Sequence, residues 1–94
     1  MDSYKKYSDD FWSKVSGNAS SCLQEVAPSD LEEVKLSFAL MVAAYENPDN
    51  FRIYPLPKKK EFDAQKAKGC CGSFDTQIKC KSGRIYWAGF NWGH

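Results

Sequence analysis

Histidine is almost missing from this sequence: of 94 residues only the last, His94, is one. Proton transfer near neutral pH relies on histidine more than on any other side chain, so enzymes built around an internal histidine are excluded. Long hydrophobic runs are lacking too. The longest, Phe38 to Tyr45, is eight residues, against about 20 for a helix that spans a bilayer. No apolar segment follows the polar opening Met1-Asp2-Ser3-Tyr4-Lys5-Lys6, so no secretory leader is expected and the chain reads as cytoplasmic, with no membrane partner. There is no C-x2-C or H-x3-H pair, no glycine-rich phosphate loop, no RNP-type segment and no calcium-loop spacing. Their absence removes the strongest signatures of zinc, nucleotide, RNA and calcium binding. Internal repeats and low-complexity tracts are also absent.

Four cysteines are present, Cys22, Cys70, Cys71 and Cys80. Cys70 and Cys71 are adjacent, and with no leader to an oxidising compartment all four read as reduced thiols. Hydrophobic residues make up 43% and aromatic ones 15%, enough for one folded core and too apolar for a disordered chain. The length fits a single domain, 1–94. A domain this short buries only about two-thirds of its unfolded surface, so its stability margin is modest and self-association would add to it.

Net charge is +1, yet unevenly placed. Residues 1–50 carry four Lys against nine Asp or Glu, a balance of −5, and residues 51–94 carry nine Lys or Arg against three acids, a balance of +6. An acidic helical half thus precedes a basic β half. A basic half can attract a polyanion. Equally, the two halves can neutralise each other inside one fold, or pair between copies in a homo-oligomer. The small net charge argues against a dedicated nucleic-acid binder.

Residues 1–6 read as a loose arm. Ser8-Asp9-Asp10 supplies an N-cap and first-turn acids, and Phe11, Val15, Ala19, Cys22 and Val26 recur at helical spacing, so one helix is expected towards Ala27, weakened at Gly17-Asn18 and ended by Pro28. Ser29 followed by Glu32 has the pattern of a capping box. It opens a second helix with Leu31, Val34, Phe38, Met41, Val42 and Tyr45 on its apolar face, ended by Asn47-Pro48-Asp49-Asn50. The short Pro28-Ser29 joint predicts an antiparallel helix pair.

After residue 50 the period changes. Phe51-Arg52-Ile53-Tyr54 alternates as a strand ended by Pro55-Leu56-Pro57. Lys58 to Lys68 is a polar connector in which Glu61 to Lys68 can form a helical turn or two. Ser73 to Trp92 reads as a β-hairpin around Lys81-Ser82-Gly83-Arg84, with Gly83 supplying the positive φ of a tight turn. The fold class is therefore α+β: two N-terminal helices packed on a small antiparallel sheet that ends in a C-terminal β-hairpin.

With Ser82-Gly83 as a two-residue loop, Cys80 pairs with Ile85, Ile78 with Trp87, Thr76 with Gly89 and Phe74 with Asn91. Those residues face the helices, and Asp75, Gln77, Lys79, Tyr86, Ala88, Phe90 and Trp92 face outwards. An outward row of Tyr86, Phe90 and Trp92 beside Lys79, Lys81 and Arg84 offers anchors and charges for a protein interface. The same rings and cations suit base stacking and phosphate contact. The plainer alternative is that a third strand or the connector covers these rings and they are core.

Cys70, Cys71, Cys80 and His94 are a valid ligand set for structural zinc. However, adjacent cysteines chelate one ion poorly, and with Cys80 at the turn and His94 at the open end the two lie roughly 20 Å apart. A catalytic Cys70 or Cys71 with His94 as base lacks an orienting third group and an oxyanion hole. Lys58-Lys59-Lys60 is either a phosphate or acidic-partner contact or a solvated loop. The acids Asp9, Asp10, Glu25, Glu32, Glu33 and Glu46 lack calcium-loop spacing.

The expectation is a non-catalytic binding protein without cofactor or metal. It would act as an inhibitor, adaptor or accessory factor docking on a larger protein, a character common among small viral or mobile-element proteins. A nucleotide or nucleic-acid binder using the same surface is the main alternative, and a small zinc domain the third.

Overall fold

The computed structural model describes residues 2–15, 21–45, 48–58, 60 and 72–92. Helix α1 runs Asp2–Lys14 and helix α2 Leu31–Val42, and three strands follow, β1 Asp49–Pro55, β2 Gly72–Lys79 and β3 Ile85–Trp92. The sheet is antiparallel in the order β1-β3-β2. The fold is α+β, with helices N-terminal and strands C-terminal. Among the described residues no helix is long and apolar enough to cross a membrane.

Helix α1 begins at Asp2, where a loose arm was expected, and ends at Lys14, well short of Ala27. Lys14 in its last turn suits the helix dipole. Lys5 also pairs with Asp9 one turn on, at 3.6 Å. Of the stripe expected to continue this helix, Cys22 sits instead in a 3-10 turn, Ser21–Leu23. Ala19 falls outside the described residues.

The capping box does not form. A 3-10 turn, Pro28–Asp30, leads into α2, and Asp30 at the N-cap makes no side-chain cap bond. Ser29 Oγ accepts from Arg84 Nη1 at 3.5 Å, and Glu32 receives Lys5 Nζ at 3.3 Å. Tertiary partners have taken both capping groups. The helices also run in a different sense from the expected antiparallel pair, because contacts advance together along both. Lys5 meets Glu32, while Trp12 donates its indole N–H to the Lys35 carbonyl at 3.0 Å and packs on Phe38.

Val34, Phe38, Ala39 and Val42 are the buried positions of α2, at the helical spacing read from the sequence. They pack on the inward face of the sheet, where Ile53, Ile78, Tyr86, Ala88 and Phe90 are buried. Aromatic rings dominate this core. Phe90 lies within 5.1–6.3 Å, ring centre to ring centre, of Tyr45, Phe74, Phe38 and Phe51. Phe11 and Trp12 extend the cluster from α1. Edge-to-face and offset contacts of this kind add to plain burial.

Candidate functional site

The hairpin turn determines where each candidate side chain points. Gly83 N–H donates to the Cys80 carbonyl and Cys80 N–H to the Arg84 carbonyl, both at 2.9 Å, with Gly83 at φ 98°. The loop is thus three residues, Lys81 to Gly83, closed by a glycine in the left-handed region. One more loop residue moves the register by one. Lys79 pairs with Ile85, Ile78 with Tyr86, Gln77 with Trp87, Thr76 with Ala88 and Phe74 with Phe90. The register expected from a two-residue loop is therefore wrong: β2 keeps the faces expected of it, with Ile78 and Cys80 inward, and β3 exchanges its two faces.

The candidate anchors change sides accordingly. Tyr86 is 1% exposed and Phe90 0%, both inside the core. They are structural residues rather than surface anchors. The side chain of Trp92 lies outside the described residues. The outward face instead carries Tyr54 and Trp87 as cross-strand partners, both half-buried, with Ile85, Gln77 and Lys79. Arg52 is buried on that face too, and burial lowers the pKa of its guanidinium while the Asp75 carboxylate opposes the shift. Lys79, Lys81 and Arg84 are exposed, as the sequence suggested.

The turn is docked on the start of α2. Tyr86 Oη donates to the buried carboxylate of Asp30 at 2.7 Å and accepts the Ala27 N–H at 3.1 Å. Arg84 Nη1 lies 3.4 Å from the same carboxylate, with its side chain still 56% exposed. Lys81 N–H reaches both oxygens of Glu33, at 3.1 and 3.2 Å. Hydrogen bonds from Ser82 and Tyr86 hold the Asp30 pKa below its ordinary value against the opposing effect of burial, with Arg84 assisting. Sequence reasoning missed Asp30 and Glu33 as turn anchors. No local pattern links a helix start to a hairpin turn 48 to 56 residues on.

Cys80 is buried beside this network. Its ligand atom and those of Asp30 and Glu33 lie within 4.8 Å of one another. A cation there would have to displace the Tyr86, Arg84 and Lys81 bonds that hold the turn. Burial first, then the charges of Glu33 and Asp30, push the Cys80 thiol up, and burial takes Cys22 to about 12, so both thiols stay protonated and unreactive near neutral pH. Of the proposed zinc ligands, Cys70, Cys71 and His94 fall outside the described residues, as do Lys59 and the Glu61–Lys68 turn.

Beside the docked turn opens a cleft of about 660 Å³. Gln24 to Ala27, Pro55-Leu56-Pro57 and Gly83 to Tyr86 line it. Its walls are chiefly apolar, from Val26, Ala27, Pro55, Leu56 and Ile85, and Leu56 is 37% exposed. Its ionisable groups are already engaged: Arg84 with Asp30, Glu25 with Lys58, and the Tyr86 hydroxyl with Asp30 and Ala27. The two ion pairs tie the basic half of the chain to the acidic half. A smaller depression of about 310 Å³ lies between α1 and α2, with the charged residues Lys5, Asp9, Glu32 and Lys35 among its lining. No family model, curated protein or solved structure matches this chain.

Proposed function

We propose that this protein is a non-catalytic binding domain, an inhibitor, adaptor or accessory factor that docks on a larger protein. Its contact surface is the apolar cleft, with Arg84 at the rim, Lys81 on the adjoining turn and Lys79 at the end of β2. The observation that supports this reading is the cleft itself. Its volume falls in the range of about 300–1,000 Å³ typical of ligand sites, and its walls are apolar, with an exposed leucine and an exposed arginine at the edge. Apolar anchoring with a charged rim is the composition of a protein interface. Each acid or hydroxyl lining the cleft already has a structural partner, which leaves none placed as nucleophile and base.

A displayed peptide library tests the reading. Selected sequences should share an apolar anchor with acidic neighbours, and the amide resonances they shift should belong to residues 24–27, 55–57 and 83–86. Leu56→Asp should weaken their binding at least about tenfold, as expected when an apolar anchor is replaced by a charge. Peptides that shift other residues, or that bind Leu56→Asp undiminished, would remove the cleft from consideration.

The nucleotide alternative retains one supporting feature, the half-buried Tyr54 and Trp87 side by side on the outer face. Oligonucleotide binding there would shift Trp87 and weaken steeply as salt rises, whereas a largely apolar interface weakens little.

A further inference from the structure

Arg84 is held by one nitrogen of its guanidinium. Nη1 lies 3.4 Å from the Asp30 carboxylate and 3.5 Å from Ser29 Oγ, both long for bonds made by a charged group. Among the described residues Nε and Nη2 bond to no protein group. The side chain is 56% exposed and lines the apolar cleft. Asp30, for its part, has nearer partners: the Tyr86 hydroxyl donates to it at 2.7 Å, and Ser82 bonds to it as well. The guanidinium can therefore engage a ligand without leaving a buried carboxylate unsatisfied.

The rest of the lining restricts what that ligand is. Val26, Ala27, Pro55, Leu56 and Ile85 supply apolar wall in the same cleft, so the group that meets Arg84 must be carried beside an apolar one. Glu25 also lines the cleft, and Asp30 stands behind Arg84. Two carboxylates about the site repel a doubly charged phosphate more than a singly charged acid. A carboxylate is also planar, and its two oxygens match two parallel N–H groups of a guanidinium.

We propose that Arg84 is the specificity-determining contact of the cleft, taking through Nε and Nη2 the side-chain carboxylate of a Glu or Asp next to an apolar residue of the partner protein. The inference rests on the reading of the cleft as a docking surface. The apolar side chain seats against Val26, Leu56 and Ile85, and Nη1 stays with Asp30. An amide in place of the acid brings no charge to the fork. The cleft therefore discriminates Glu from Gln and Asp from Asn.

Two blocked peptides test it, each acetylated and amidated, with two leucines followed by glutamate in one and by glutamine in the other. The amide resonances of the protein are followed as each peptide is titrated. The glutamate peptide should shift residues 24–27, 55–57 and 83–86 and bind at least about tenfold more tightly than the glutamine peptide, as a charge-assisted hydrogen bond implies. Arg84→Gln should bind both alike, at the level of the glutamine peptide. Arg84→Lys keeps the charge at the turn without the planar fork, and should retain only part of the difference. Equal binding of the two peptides to the parent protein overturns the proposal and leaves the docking cleft standing. A preference that survives Arg84→Gln does the same. A glutamine peptide with a free terminal carboxylate that binds as tightly as the glutamate peptide overturns the choice of a side-chain acid. Peptides that shift no cleft residue remove both the proposal and the cleft.

Discussion

At the scale of single residues, Asp30 joins the hairpin turn to the start of α2. Its buried carboxylate receives the Tyr86 hydroxyl and the Arg84 guanidinium, and those bonds, with that of Ser82, depress its pKa in the folded state. A depressed carboxylate contributes stability above its unfolded pKa, about 3.9, and loses that contribution as pH falls through the lower folded value. Asp30→Asn should therefore lower the melting temperature at neutral pH, and the gap to the parent protein should close towards pH 2. A gap constant across that range would mean that the charge of Asp30 is not what holds the turn. Asp30 shows the limit of local reading. An acid at a helix start already has an explanation there, through the dipole, and nothing nearby in sequence indicates that a tyrosine 56 residues away is its partner.

Among the elements, the β-hairpin depends on two glycines for different reasons. Gly83 has φ 98° and open space where a Cβ would go, so Gly83→Ala should cost only the left-handed backbone term, about 1–2 kcal/mol. Gly89 faces Asp75 across the ladder, and a Cβ there would overlap the Phe74 carbonyl oxygen and crowd Asp75. That clash is with backbone and cannot be relieved by a rotamer change. Gly89→Ala should accordingly be the more damaging of the two in urea unfolding, and equal losses would contradict the close approach. The positive φ of Gly83 was legible from its place in a turn sequence. The need for Gly89 was not, because it arises from another strand. The hairpin register was lost for a related reason: Lys81-Ser82-Gly83-Arg84 suits a two- or a three-residue loop, and one residue decides which face is buried.

In the molecule as a whole, the aromatic content resolves into one core centred on Phe38 and Phe90. Both are fully buried and in contact with rings from α1, β1 and β2 or the end of α2. Phe90→Ala should cost about 3–5 kcal/mol, a large share of the roughly 5–14 kcal/mol available to a chain of this length. Thermal unfolding should show the loss directly. A substitution tolerated within about 1 kcal/mol would mean that Phe90 is not a core residue. The charge asymmetry also takes on a structural sense at this scale, since Lys58–Glu25 and Arg84–Asp30 join the halves. The first pair is exposed and contributes little to stability. The second positions the turn beside the cleft.

Local pattern was enough for the fold class, the apolar face of α2, the strand at Phe51 to Tyr54 and the two strands around Gly83. Each is carried by a periodicity or a turn residue that acts over a few neighbours. The packed fold placed the start of α1 at Asp2 and gave the capping groups of α2 other partners. It alone decided that Tyr86 and Phe90 face inwards and that Val26, Leu56 and Arg84 share a cleft. Those outcomes depend on contacts between residues far apart in the chain, where a one-residue change of register reverses every side chain of β3 and no local preference is strong enough to oppose it.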